Sequence, residues 1–111
     1  MGTFTYGQAA VTATFDDRML AHLRAVITAK LRRSESFLFT WDSERNGGTA
    51  QVSVWMHPAV AISFDLDASA TTPLNLDWLA VLAEAANPSS GLGPHREPHQ
   101  YATKNALYSG L

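Results

Sequence analysis

Residues 16–41, DDRMLAHLRAVITAKLRRSESFLFTW, constrain this chain more than any other stretch. Two aspartates stand where the first turn of a helix needs acceptor oxygens, so Asp16 or Asp17 is the expected N-cap. At about 100° per residue, Met19, Leu20, Leu23, Val26, Ile27 and Leu31 fall on one stripe, with Arg18, Ala21, Ala25, Thr28 and Arg32 roughly opposite. His22 borders the stripe and reads as a boundary residue. Arg32 and Arg33 suit the negative end of the helix dipole. After Ser36 the period drops to two: Phe37, Phe39 and Trp41 share one face of a strand, Leu38 and Thr40 the other. A helix with one dry side, followed by a strand with one aromatic side, demands a layered α+β packing.

The same patterns extend outward. Residues 3–6 and 11–15 alternate and are rich in β-formers, with a loop at 7–10 that predicts a hairpin. Residues 43–48 predict a turn, since Asn46 and the two glycines tolerate positive φ. Ala50, Val52, Val54 and Met56 then alternate with Gln51, Ser53, Trp55 and His57, and Pro58 marks the next turn. Val60, Ile62, Phe64 and Leu66 form the apolar side of a last strand. Asn75 is the expected cap of a second helix, in which Trp78, Leu79, Leu82, Ala83 and Ala86 line one side. Asn87-Pro88 ends that helix.

The order is therefore ββαβββα. Its simplest packing is a five-stranded, mostly antiparallel sheet with both helices on one face. Residues 1–88 form the expected single domain. Residues 89–111 form a tail or strap, with Tyr101, Leu107 and Tyr108 as its expected anchors.

Composition narrows the function. The chain has 111 residues, 46% of them hydrophobic and 16% charged, which suits one folded domain and not a disordered segment. It has no cysteine, which removes disulfide, thiolate and Cys-type zinc chemistry and fits a cytoplasmic location. No apolar run approaches the ~18 residues of a membrane span. Residues 16–33 hold Arg18, Arg24, Lys30, Arg32 and Arg33 against Asp16 and Asp17, an excess of +3 in a chain of net −2. Those five cations are the candidate contacts for nucleic-acid phosphates. Lys30 lies in the apolar stripe, where a lysine stem packs on the core and its ammonium reaches past the helix end. The sharper alternative holds that ammonium, with Arg33, over a phosphate or carboxylate.

Trp41, Trp55 and His57 are the candidate interaction surface. Helices on one face of the sheet leave the Trp55 side open, so a second copy or another protein is expected to cover it. His57 and Asp65 form the alternative, a small-molecule or catalytic site. His95 and His99 are four apart, but Pro98 between them opposes a helix, and no metal or other cofactor is expected. Gly-x-Ser-x-Gly elbows and Gly-rich phosphate loops before a helix are absent from the sequence.

The runs MGTFTYG, DDRMLAHLRAVITAKLRRSESF, VSVWMHPAVAISF and NLDW resemble a group of short bacterial proteins of uncharacterised function that carry the label "ATP-dependent DNA ligase". The resemblance covers roughly residues 1–98, ending at Arg96-Glu97-Pro98. It implies an accessory domain linked to DNA repair or ligation machinery. Leu76-Asp77-Trp78 departs from the family, which carries an arginine before the tryptophan. A ligase adenylates a lysine in a Lys-x-Asp-Gly context, and neither Lys30 nor Lys104 stands in one. Ligation by this chain alone is excluded, and a non-enzymatic accessory or interaction domain is the expectation.

Overall fold

The computed structural model describes residues 1–8, 11–67, 73–87 and 91–98. Strands β1 (Gly2–Tyr6) and β2 (Val11–Phe15) precede helix α1 (Asp17–Arg32). Strands β3 (Phe37–Arg45), β4 (Gly48–Met56) and β5 (Ile62–Asp65) follow, and then helix α2 (Leu76–Ala85). The order is the one the patterns predict, and the class is α+β.

Both helices start where their caps dictate. Asp16 Oδ2 accepts from the amides of Arg18 and Met19 at 3.1 and 3.3 Å. Asn75 Oδ1 does the same for Asp77 and Trp78 at 3.0 and 3.2 Å. Each cap satisfies two amides that have no partner inside the helix. In α1 the buried face carries Leu20, Leu23, Val26 and Ile27, with Met19 and Leu31 at its margin.

The strands do not form one sheet, which corrects the expected five-stranded layer. They divide into a three-stranded sheet of order β2-β1-β5 and a two-stranded sheet of β3 and β4, all pairs antiparallel. The division lies at the β4–β5 turn. Pro58 cannot donate to a ladder, and after it the chain leaves β4 so that β5 pairs with β1, Phe64 opposite Phe4. At this corner a side chain replaces a strand pairing: the Tyr6 hydroxyl donates to the carbonyl of Trp55 and accepts from the amide of His57. The turn between β3 and β4 is also tighter than the predicted 43–48 span. It is Asn46-Gly47, with φ +48° and +80°, the two-residue turn whose twist matches antiparallel strands.

The apolar sides of the two sheets meet in one core with the helices. Phe4 lies edge-on to Phe39 and Trp41, at ring separations of 5.4 and 5.9 Å. Phe15 meets the same two rings at 6.1 and 6.2 Å. α1 and α2 contact each other, and α1 packs on β1.

Residues 91–98 cross this core as a strap. Leu92 is fully buried, and its backbone makes a parallel bridge to β3. Its amide donates to Leu38 O at 2.7 Å, and its carbonyl accepts from Thr40 N at 2.8 Å. Further along, the strap is tied to both helices. Trp78 Nε1 donates to His95 O at 2.8 Å, and Asn75 Nδ2 donates to Glu97 Oε2 and Pro98 O at 3.0 Å each. Arg18 grips the Glu97 carboxylate with two parallel bonds of 2.9 Å. The expected anchors Tyr101, Leu107 and Tyr108 lie outside the described residues. Within them, Leu92 and Glu97 do the anchoring.

His22 belongs to the same tie and is no boundary residue: it is fully buried. Its Nδ1–H donates to Arg18 O at 2.8 Å, which leaves Nε2 to accept from the Asn75 amide at 2.8 Å. The ring packs on Trp78 with centroids 4.3 Å apart.

The Arg18 fork, and then the Asn75 bond, hold the Glu97 carboxyl well below its ordinary value of 4.5, at about 2. A depressed carboxylate contributes its stability in full above pH 4.5 and loses it as pH falls through about 2. Comparison with Glu97→Gln by urea unfolding should show a wild-type advantage of about 2 kcal/mol at neutral pH, after allowance for solvent screening. The two curves should converge between pH 4.5 and 2. A gap independent of pH over that interval would mean that Arg18 and Glu97 do not pair in solution.

Candidate interaction surface

Of the three residues expected at an interaction surface, the structure keeps two outside. Trp55 is 58% exposed, an uncommon position for an indole in a protein of this size. His57 is exposed beside it at the start of the turn, with Nδ1 accepting from Ala59 N at 3.0 Å. Trp41 is the correction. It is 5% exposed among Phe4, Phe15 and Phe39, because it sits on the same side of β3 as Phe37 and Phe39 and that side faces the core.

Trp55 stands on the outer side of the β3–β4 hairpin, opposite Leu38, with Thr40 and Ser53 as the next pair. Those two hydroxyl oxygens are 2.8 Å apart. The bonds already described settle which backbone groups face outward. In an antiparallel ladder, alternate residues point both N–H and C=O to the same edge. Leu38 and Thr40 use theirs toward the strap, so Trp55 and Ser53, directly opposite, point away from β3. The Trp55 carbonyl is taken by Tyr6. Thr49, Gln51 and Ser53 continue the alternation, are exposed, and meet no strand among the described residues. Among the described residues β4 therefore offers a free edge, and no charged residue or proline lies within Gly48–Met56 to discourage pairing.

The candidate cations do not gather. Arg18 and Arg32 lie at opposite ends of α1, about 21 Å apart along the axis. Arg18 is held by Glu97, and Lys30 and Arg33 by Glu35 at 3.2 Å each. Lys30 is 7% exposed, and its Nζ also donates to Asn87 Oδ1 at 2.7 Å, so it fastens the end of α2 to the end of α1. Arg32 is exposed and Arg24 half-buried. The alternative pair is not brought together either. His57 precedes β5, whereas Asp65 ends it, paired with Thr3.

Sequence reading missed two features. One is the β4 edge, which depends on β5 leaving for β1. The other is an open cleft of about 480 Å³ between the end of β2, the hairpin and the strap, bordered by Thr14, Thr40, Asp42, Gln51 and His95.

Fold and surface together define a small α+β domain crossed by the strap of residues 91–98, with one edge of its hairpin unpaired among the described residues. The chain belongs to a family described as a domain of unknown function (DUF7882), which matches residues 1–97. That span includes the strap through Glu97. No curated protein and no solved structure matches the chain. Among the described residues, no helix is long and apolar enough to cross a membrane.

Proposed function

We propose that this protein is a non-enzymatic interaction module that receives an extended segment of a polypeptide along the free edge of β4. Trp55 is its aromatic anchor. The observation that carries this reading is the row of outward backbone groups at Thr49, Gln51 and Ser53, ending beside an indole that is 58% exposed. Added strands gain affinity from main-chain bonds and selectivity from alternate side chains, and the edge supplies both. A reducing, cytoplasmic setting suits a chain without cysteine.

Other readings have less behind them. Phosphate or nucleic-acid binding must use cations of which three already hold carboxylates. A link to DNA repair or ligation machinery rests on the sequence resemblance alone. A small-molecule site has the cleft beside Asp42 and His95 in its favour, at a place other than His57 and Asp65.

A photo-reactive aromatic residue in place of Gln51, introduced in the cells that make the protein, tests the proposal. Covalent adducts with polypeptide are expected from position 51. None should form from Ala80, an exposed residue of α2. If position 51 yields no adduct, the interaction-module reading fails.

A further inference from the structure

The edge of β4 carries information about its occupant. We infer that the strand it receives is β4 of a second copy, paired antiparallel across a twofold axis. This rests on reading β4 as a docking edge and adds the identity of the partner.

Three features of the strand support self-pairing. The first is charge. A twofold contact brings each residue near its own symmetry mate, so any charge on the strand would meet itself. Gly48–Met56 carries none, although charged Glu44 lies on the neighbouring strand of the same hairpin. The second is register. Tyr6 closes the edge at Trp55, leaving Thr49, Gln51 and Ser53 to pair. The symmetric register that uses all three, and nothing from Trp55, puts Gln51 on the axis opposite Gln51 of the partner subunit, with Ser53 opposite the partner's Thr49. Each of these pairs is of the type that exchanges both backbone bonds. The register also keeps sides matched: Val52 meets the partner's Ala50 on the core side, and the polar residues stay outside.

The third feature is the fit of Trp55. In the same register it lies opposite the partner's Gly47, in the Asn46-Gly47 turn. Apart from its two chain neighbours, a Cβ built on Gly47 would meet no atom within 4 Å, so the backbone there lies open to the indole. The exposed aromatic would cover a bare stretch of backbone. Pairing would also turn a two-stranded hairpin, marginal by itself, into a four-stranded sheet. A contact of this size belongs with weak dimers, with dissociation in the micromolar range.

The absence of cysteine makes the register testable in the full chain. Light scattering should show the mass rising from 12.1 kDa toward twice that value between micromolar and submillimolar concentration. Gln51→Lys, a change at an exposed site, sets two like charges face to face and should weaken the dimer at least about tenfold with circular dichroism unchanged. Gln51→Cys should oxidise to a disulfide-linked dimer, because residues opposite each other in such a pair have Cα atoms about 5.5 Å apart, within disulfide reach. Ser53→Cys alone should not cross-link, whereas a mixture of Ser53→Cys and Thr49→Cys chains should. A chain that stays monomeric throughout the range overturns the inference, as does a dimer indifferent to Gln51→Lys. Photo-adducts from position 51 to a different polypeptide, with a monomeric purified chain, overturn the self-pairing and leave the docking edge standing. A monomer without adducts removes both.

Discussion

Phe4→Ala is expected to lower the unfolding free energy by about 4 kcal/mol, near the upper end for removal of a buried ring. Phe4 is fully buried, and its environment explains why relaxation cannot recover the loss. Its ring meets Phe64 on its own sheet at 5.7 Å, and Phe39 and Trp41 on the other sheet at 5.4 and 5.9 Å. Among the described residues no backbone ladder joins these two sheets, so aromatic contacts, the helices and the Tyr6 hydroxyl hold them together. Truncation therefore opens a cavity between two sheets that no strand pairing holds in register, with the Tyr6 hydroxyl bond to Trp55 lying at their corner. Phe4→Leu keeps most of the volume and should cost about 1.5 kcal/mol or less. Domains of this size are stable by about 5–15 kcal/mol, so the alanine variant should melt roughly 15–20 °C lower. Urea and thermal unfolding give both numbers. A loss below about 1.5 kcal/mol for Phe4→Ala would show that the sheets do not meet at this ring.

How far the sequence could show this architecture depends on which forces are local. The α1 stripe is legible because one helix with one dry side leaves a 3.6-residue period, and Asp16 and Asn75 are legible because a cap acts on amides two and three residues ahead. The sides of β3 and β4 follow equally well from alternation, which puts Trp55 outside. Alternation also puts Trp41 with Phe37 and Phe39, and the expectation of a surface role for Trp41 overlooked its own pattern. Edges are another matter. A period of two states which residues share a face and says nothing of which strand lies beside which. The choice of β1 as partner for β5, the split into two sheets and the free edge of β4 therefore carry no local signature. Leu92 is hidden for a related reason: a single leucine between two glycines has no period, and its burial comes from a bridge to Leu38 and Thr40 more than 50 residues away. His22 looks like a boundary residue because its partner, the Asn75 amide, is equally remote in sequence. Lys30 keeps the packed stem that its place in the stripe suggests, but its ammonium does not emerge past the helix end: it is buried and held by Asn87 and Glu35, partners that a helical period does not reveal.

Gly91→Ala should be the most damaging exchange in the strap, and a second glycine isolates the reason. Gly91 and Gly47 have nearly the same backbone, φ +83° and +80°. A side chain at either costs about 1–2 kcal/mol for the left-handed conformation. They differ in surroundings. At Gly47 the added Cβ meets nothing, whereas at Gly91 it falls 2.4 Å from Leu38 O and 2.9 Å from Leu38 C, backbone atoms that cannot rotate away. The Gly91→Ala chain has two courses, and the less costly one sets the loss. It can keep the strap in place by pushing β3 aside, which disturbs the Leu92–Leu38 and Leu92–Thr40 bonds. Otherwise it can release residues 91–98, which empties the site of Leu92 and leaves Trp78 Nε1 and the Arg18 guanidinium without their strap acceptors. Vacating a fully buried leucine site alone costs about 2–5 kcal/mol. The expected loss is thus about 3–4 kcal/mol for Gly91→Ala against about 1–1.5 kcal/mol for Gly47→Ala. If the strap is released, the mutant should also show rapid cleavage by proteases near residues 91–98, with the helices still folded. Equal losses at the two glycines would mean that conformation alone matters at position 91, and that the strap does not lie against Leu38.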